Sequence, residues 1–187
     1  MPAAAFDAAS DGALVRAARL GDDDAFGEIV DRYGPGMLRY ARRLVNGSDD
    51  DAGEVVQEAF ISAWKSLDSF RGESSLKTWL IRLVHRRAVD LLRHRRPTPI
   101  DDDLLSRVVT VADDNPLQDV LDSELLEALQ EALDELPWNQ RSAWLLREVE
   151  GLGYDEIAHA MGTTVGSVRG HLHRGRRQLA ERMARWR

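Results

Sequence analysis

Cysteine is absent from the 187-residue chain, which excludes disulfides, thiolate nucleophiles and every cysteine-ligated metal site. Lysine is nearly absent: of 25 basic residues only Lys65 and Lys77 are lysines, the rest being arginines. No run approaches the roughly 18 apolar residues that a membrane span requires, so no membrane insertion is expected. The opening MPAAAFDAASDG lacks the basic and apolar regions of a secretory signal, and a cytoplasmic location is the expectation. Strand-like alternation of useful length, internal repeats and coiled-coil periods are missing too. There is no GxxxxGK[ST] phosphate loop and no HExxH. The acidic triplets at 22–24, 49–51 and 101–103 lack the glycine-bearing spacing of a calcium loop. Hydrophobic residues make up 43% and charged residues 30%, the composition of a folded chain with room for one ordinary domain or two small ones.

The net charge of −7 argues weakly against a nucleic-acid partner, but it is unevenly distributed. Residues 1–70 carry net −6, 71–96 net +6, 97–136 net −11 and 137–187 net +4. Two basic blocks are thus separated by a strongly acidic stretch, and local fields steer a polyanion more than the total does. The preference for arginine, with its planar bidentate donors, points the same way. A GC-rich genome would produce the same bias with no function attached.

Periodicity predicts helices throughout, hence an all-α fold. Asp22 to Asp24 can cap a helix carrying Phe26, Ile29, Val30 and Tyr33, with an interruption expected at Gly34-Pro35-Gly36 before Met37 to Val45 resume the pattern. Asp49 to Asp51 open another helix, bearing Ala52, Val55, Val56, Ala59, Phe60, Ala63, Trp64 and Leu67 on its apolar side. Residues 68–73 read as a loop. Ser74 is the expected cap of a long helix that ends near Arg96, before Pro97 and Pro99. Residues 97–120 read as an acidic linker. Further helices follow over about 119–136 and 142–150, the latter with Trp144, Leu145 and Val149 on its apolar face. The chain therefore divides into an N-terminal extension with a first helix (1–23), a helical domain (24–96), a linker (97–120) and a second helical domain (121–187).

The sharpest local signal is C-terminal. A short helix over 154–161 ends in Gly162, and a second is capped by Thr163 or Thr164. Ile157, Ala158, Gly162, Val165, Val168 and Leu172 fall where a helix-turn-helix needs apolar or tiny residues. The second helix would bury Val168, Leu172 and Leu179 and expose Ser167, Gly170, His173, Arg174 and Arg177, a strip suited to the major groove. The other basic block crowds Arg82, His85, Arg86, Arg87, Arg93, His94, Arg95 and Arg96 onto one helix, with Phe70, Arg71 and Trp79 at or near its start. Exposed aromatics stack on unstacked bases while arginine neutralises phosphate. Phe70, in the loop, is the better stacking candidate; Trp79 in such a pattern is more often a core residue. A solvated arginine face is the bland alternative for this block, and a helical hairpin with a basic face for the C-terminal one.

Read together, these blocks resemble the extracytoplasmic-function sigma factors of the sigma-70 family. DAGEVVQEAFI at 51–61 resembles the motif that docks on the polymerase clamp helices, and residues 68–96 resemble the segment that recognises and melts the −10 element, within a region 2 over 24–96. LPWNQRSAWLLREVEGLGYDEIAHAMG at 136–162 and TTVGSVRGHLHRGRRQL at 163–179 resemble region 4, here 121–187. The resemblance implies an alternative sigma factor that binds core RNA polymerase at clamp and flap, recognises −35 and −10 promoter DNA in double- and single-stranded form, and promotes melting and initiation. It implies polymerase contacts at Asp51, Glu54, Gln57 and Glu58. Phe70 and Arg71 would hold a flipped base, with Trp79, Arg82, His85, Arg86 and Arg93 along the −10 face. Ser167, Arg169, Gly170, His173, Arg174 and Arg177 would meet the −35 element and its phosphates. The resemblance also brings with it an anti-sigma factor as a partner, membrane-bound or soluble. The chain departs from the family pattern at His85, Arg86, Gly153 and the Gly170-His171 pair, which touch DNA-facing positions or a cap.

Catalysis is not expected, nor any cofactor. His159, His171 and His173 lie close in sequence behind Asp155 and Glu156, but His171 and His173, two apart, do not share a helical face, and no metal site is expected. Melting would draw on binding energy instead, exchanging paired bases for stacking and phosphate contacts. Two other readings compete: a stand-alone helix-turn-helix regulator, which would bind an operator tightly as a dimer, and a sigma-like decoy that binds polymerase without starting transcription.

Overall fold

The computed structural model describes residues 9–45, 48–94 and 123–186, and every described regular element is helical. The linker expected over 97–120 and Arg96 lie outside these residues. α1 (Asp11–Arg19) is capped by Ser10, whose hydroxyl accepts from Ala13 N at 3.3 Å. α2 (Asp23–Leu44) is capped by Asp22, accepting from Ala25 N at 3.1 Å. α3 (Asp49–Ser66) is capped by Ser48, one residue ahead of the acidic triplet, which then sits in the first turn where the helix dipole favours it. A 3-10 turn, Leu67–Ser69, leads to α4 (Leu76–His94).

Two local expectations are corrected here. The interruption at Gly34-Pro35-Gly36 does not occur: α2 runs through Pro35. A proline in a helix interior costs about 3 kcal/mol, but Ile29, Met37, Tyr40, Ala41 and Leu44 are all fully buried along the same helix, and burying one such large side chain contributes about 1.5–3 kcal/mol. At the start of α4 it is Ser75, not Ser74, whose hydroxyl accepts from Thr78 N, at 3.0 Å.

The second domain begins with α5 (Ser123–Asp134) and, after Pro137, α6 (Trp138–Trp144). The next five residues, Leu145–Val149, form a π-turn. Its extra residue rotates the register, so Leu146 is buried while Val149, expected on the apolar face, is 39% exposed. α7 (Tyr154–Met161) ends at Gly162, whose φ of 63° lies in the left-handed region that glycine enters without penalty. α8 (Val165–Arg182) is capped by Thr164, which accepts from Ser167 N at 3.1 Å.

Leu14, Ile29, Leu44, Val55, Leu80 and Ile81 form the core of the α1–α4 bundle, and Leu136, Leu146, Ile157, Val168 and Leu172 that of the α5–α8 unit. The two units pack on each other, α4 against α7 and α2 against α6. Arg141 reinforces that seam. It is fully buried, donates to Asp134 Oδ1 at 3.3 Å and Asp134 O at 2.7 Å, and reaches Arg43 O in α2 at 3.3 Å. Burial pushes the Arg141 pKa down and that of Asp134 up, each opposed by the other's charge.

Candidate nucleic-acid interface

The loop after α3 and the first turns of α4 build a small pocket. The rings of Phe70 and Trp79 lie 5.3 Å apart, both half-buried and packed against the core. Trp79 is thus core on one side and pocket wall on the other. With Ser69, Arg71 and Arg82 they line a pocket of about 250 Å³, and His159 of α7 lines its far side. Arg71, Arg82, Arg86 and Arg93 are exposed, so the recess with its two aromatic walls lies among arginines, although the Glu73 carboxylate lines it too.

His85 departs from the expectation of a DNA-facing residue: it is 4% exposed. Its Nδ1 shares hydrogen bonds with Tyr40 Oη and Ser142 Oγ, both at 3.1 Å, and its ring centre lies 4.6 Å from that of Trp138. The cause is packing: the second domain covers this side of α4. Desolvation there lowers the His85 pKa from 6.5 to about 4, holding the ring neutral, and raises that of the Tyr40 phenol.

Three further contacts close the same seam. Thr78 Oγ1 donates to Glu156 Oε1 at 2.8 Å. Lys77 Nζ lies 2.9 Å from Glu150 Oε2 and donates to Glu150 O at 3.1 Å. Arg82 Nη1 meets His159 Nε2 at 2.8 Å. Glu156 also accepts from Gly153 N at 2.9 Å, so the N-terminus of α7 keeps half of a capping box although Gly153 has no side chain to complete it.

The second basic strip lies on α8. Ser167, Arg169, His173, Arg174 and Arg177 are exposed and Gly170 half-buried, while Val168, Leu172 and Leu179 are buried as the spacing predicts. Arg169 stands 5.7 Å from the Tyr154 ring centre, with Arg147 over the same ring at 5.1 Å. Buried Gly175 lets α6 come close: a Cβ there would meet Gln140 Cβ at 3.5 Å and its carbonyl at 3.6 Å.

On the far side of the N-terminal bundle, Glu54, Gln57 and Glu58 are exposed along α3, but Asp51 is only 8% exposed. It faces inward in the first turn of the helix and does not join the acidic edge. Beside that edge runs an apolar groove of about 710 Å³ between α2 and α3, lined by Phe26, Val30, Leu38, Val56, Phe60 and Trp64 among others. Trp64, expected on the buried side, is 42% exposed and Ile61 38%, with the Trp64 ring 4.8 Å from Phe26. The periodicity shows these residues as apolar but not which of them lack a partner helix. No local signal in the sequence joins Lys77, Thr78 and Arg82 to Glu150, Glu156 and His159, more than 70 residues away.

Among the described residues no group of three or more metal-ligating side chains converges, and no helix is long and apolar enough to cross a membrane. Residues 29–98 match the family model for Sigma-70 region 2 and residues 126–179 that for Sigma-70, region 4. The chain is 35% identical over 182 residues to the ECF RNA polymerase sigma-E factor of Haemophilus influenzae, covering 93% of this chain and 95% of that one. It is 36% identical over 178 residues to the sigma-E factor of Escherichia coli K12, covering 91% and 92%. Among solved structures, the fold is similar to the sigma factor RpoE in complex with the anti-sigma factor NepR from Bartonella quintana, with a TM-score of 0.70, 25% identity, and coverage of 85% of this chain and 96% of that one. It is also similar to CnrH in complex with the cytosolic domain of CnrY, with a TM-score of 0.66, 27% identity, and coverage of 91% and 95%. Two matched regions in order on two helical units, with full-length relatives, lead to one conclusion: the chain belongs to the extracytoplasmic-function sigma factors of the sigma-70 family.

Proposed function

We propose that this sigma factor attaches to core RNA polymerase through the α2–α3 side of its N-terminal unit, reads −35 duplex with α8, and captures an opened −10 base against Phe70 in the recess that Trp79, Arg71 and Arg82 also line. The observation that carries the reading is the aromatic-walled pocket ringed by Arg71 and Arg82, in the same chain as an exposed arginine strip on a helix-turn-helix. Duplex recognition needs the second and strand capture the first. Glu54 and Glu58 supply an acidic rim with the Gln57 amide between them, and the neighbouring groove an apolar floor, a pairing suited to a helical partner with basic flanks. Asp51 serves by shaping the start of α3 rather than by touching the partner.

The closed packing fits this role as a resting form. While α7 covers α4, His159 lines the base pocket and holds Arg82, so −10 capture requires the seam to open. An anti-sigma factor that bridges both units is the partner we assign to the closed form, in keeping with the complexes in which the two structural relatives were solved. Runoff transcription with purified core polymerase across a promoter library tests the function. Discrete new starts that disappear when Glu54 and Glu58 are both replaced by Lys are expected. Stable polymerase binding without starts would favour a decoy, and neither starts nor binding would leave a stand-alone regulator.

A further inference from the structure

Arg19 is the last residue of α1 and precedes both matched family regions. Its guanidinium reaches across the bundle to the turn that follows α3. Nε and Nη2 donate to Leu67 O at 3.1 and 3.0 Å, and Nη2 also donates to Asp68 O at 3.4 Å and to Phe70 O. Three carbonyls from four consecutive residues thus converge on one side chain. They sit just past the C-terminus of α3, where a cation is favoured, and Leu67 O also accepts from Phe70 N.

We infer that Arg19 is a positioning residue for −10 recognition: it holds the 67–70 turn in the shape that presents Phe70 to a captured base. The inference rests on the −10 reading above. The other contacts of Phe70 are its half-buried packing against the core and bonds within its own turn. Its N–H donates to Leu67 O at 3.1 Å within the turn, and its ring leans on Trp79. Gly72, with φ of 73°, breaks the backbone immediately afterwards. On the other side, Leu14, Val15 and Ala18 bury α1 in the bundle, so Arg19 anchors a loop to a fixed helix. A planar guanidinium satisfies several acceptors in different directions at once, whereas an ammonium is a single point charge. Arg16, one turn earlier and exposed as Arg19 is, reaches none of these carbonyls.

The test uses the full chain with core polymerase on templates randomised across the −10 element, read as base discrimination at the captured position. Arg19→Ala is compared with Arg19→Lys, with Arg16→Ala, and with Ala18→Gly, which loosens α1 while keeping the Arg19 guanidinium. Replacing charge-assisted bonds to the turn is expected to lower discrimination about tenfold in Arg19→Ala, with Arg19→Lys partly restored and Arg16→Ala unchanged. Polymerase affinity, −35 preference and melting temperature should stay near wild type. Discrimination equal to wild type in Arg19→Ala would overturn the inference. So would a uniform loss of initiation at every −10 sequence that Ala18→Gly reproduces at equal loss of melting temperature. A wild-type protein that starts no transcription would instead remove the −10 reading itself, and the inference with it.

Discussion

Phe70 and Trp79 are both half-buried against the core but come from different elements, a loop and a helix. Trp79 lends its inner face to the core, so its outer face is a rigid wall, while Phe70 comes from a loop and can adjust. Stacking on a base is worth about 1–3 kcal/mol per aromatic. Phe70→Ala is therefore expected to weaken single-stranded −10 binding by the polymerase complex by about tenfold or more, with −35 duplex binding unchanged. Fluorescence of a labelled −10 oligonucleotide reads the first and a −35 competition assay the second. Arg174 and Arg177 stand exposed, Arg174 Nη2 3.3 Å from His171 Nδ1 and Arg177 Nε 3.7 Å from Glu181 Oε1. As phosphate contacts, each should contribute about one unit to the slope of log affinity against log salt. Replacing either with Ala should flatten that slope and weaken all promoter sequences about equally, as measured by salt titration of −35 binding.

At the scale of the helix, α8 carries a residue that works against its own stability. Gly170 sits in the middle of the recognition helix, where glycine costs about 0.5–1 kcal/mol relative to alanine. A Cβ there would meet only the end of the Arg174 side chain, at 3.2 Å from Nη1, and that flexible tip can move aside. Gly170→Ala should therefore raise the melting temperature of the protein. If the bare backbone is used for close approach to bases, −35 affinity falls as stability rises. A calorimetric scan beside a binding isotherm separates the two effects, and unchanged affinity would show that the glycine is not read by DNA. α3 shows a related lesson. Its regular apolar pattern covers two different surfaces, an inner one at Val55, Ala59 and Ala63 and an outer groove at Ile61 and Trp64, and periodicity does not distinguish a buried stripe from one awaiting a partner.

Across the whole molecule the seam between the two units carries a titratable group out of water, where α6 covers α4 and α2. His85 is neutral there because burial holds its pKa near 4 against an ordinary 6.5. The closed form thus binds fewer protons than a form in which His85 meets water, so its stability is complete above about pH 6.5 and is lost as pH falls toward about 4. Because the chain has no cysteine, Lys65→Cys and Glu181→Cys would give two unique exposed labelling sites, one on each unit. Energy transfer between them is expected to fall as pH drops through that window, and His85→Asn should flatten the response. Transfer independent of pH in the parent protein would show that the seam does not open there.

The helices themselves were legible from caps and periodicity: Asp22, Thr164 and Gly162 mark boundaries that the structure keeps. So were the arginine strips and the helix-turn-helix core of Val168, Leu172 and Leu179. These are local properties, set by neighbours within about one or two turns. What misled were positions whose environment comes from distant chain. Pro35 stays helical because of what packs along α2, and Val149 turns outward through a π-turn. His85 is buried by Trp138 and Ser142, more than fifty residues away. Composition, spacing and capping chemistry thus specify the elements and the surfaces that bear charge. Which of those surfaces face water, and which face the other half of the molecule, follows from burial between segments remote in sequence, because packing energy depends on contact in space.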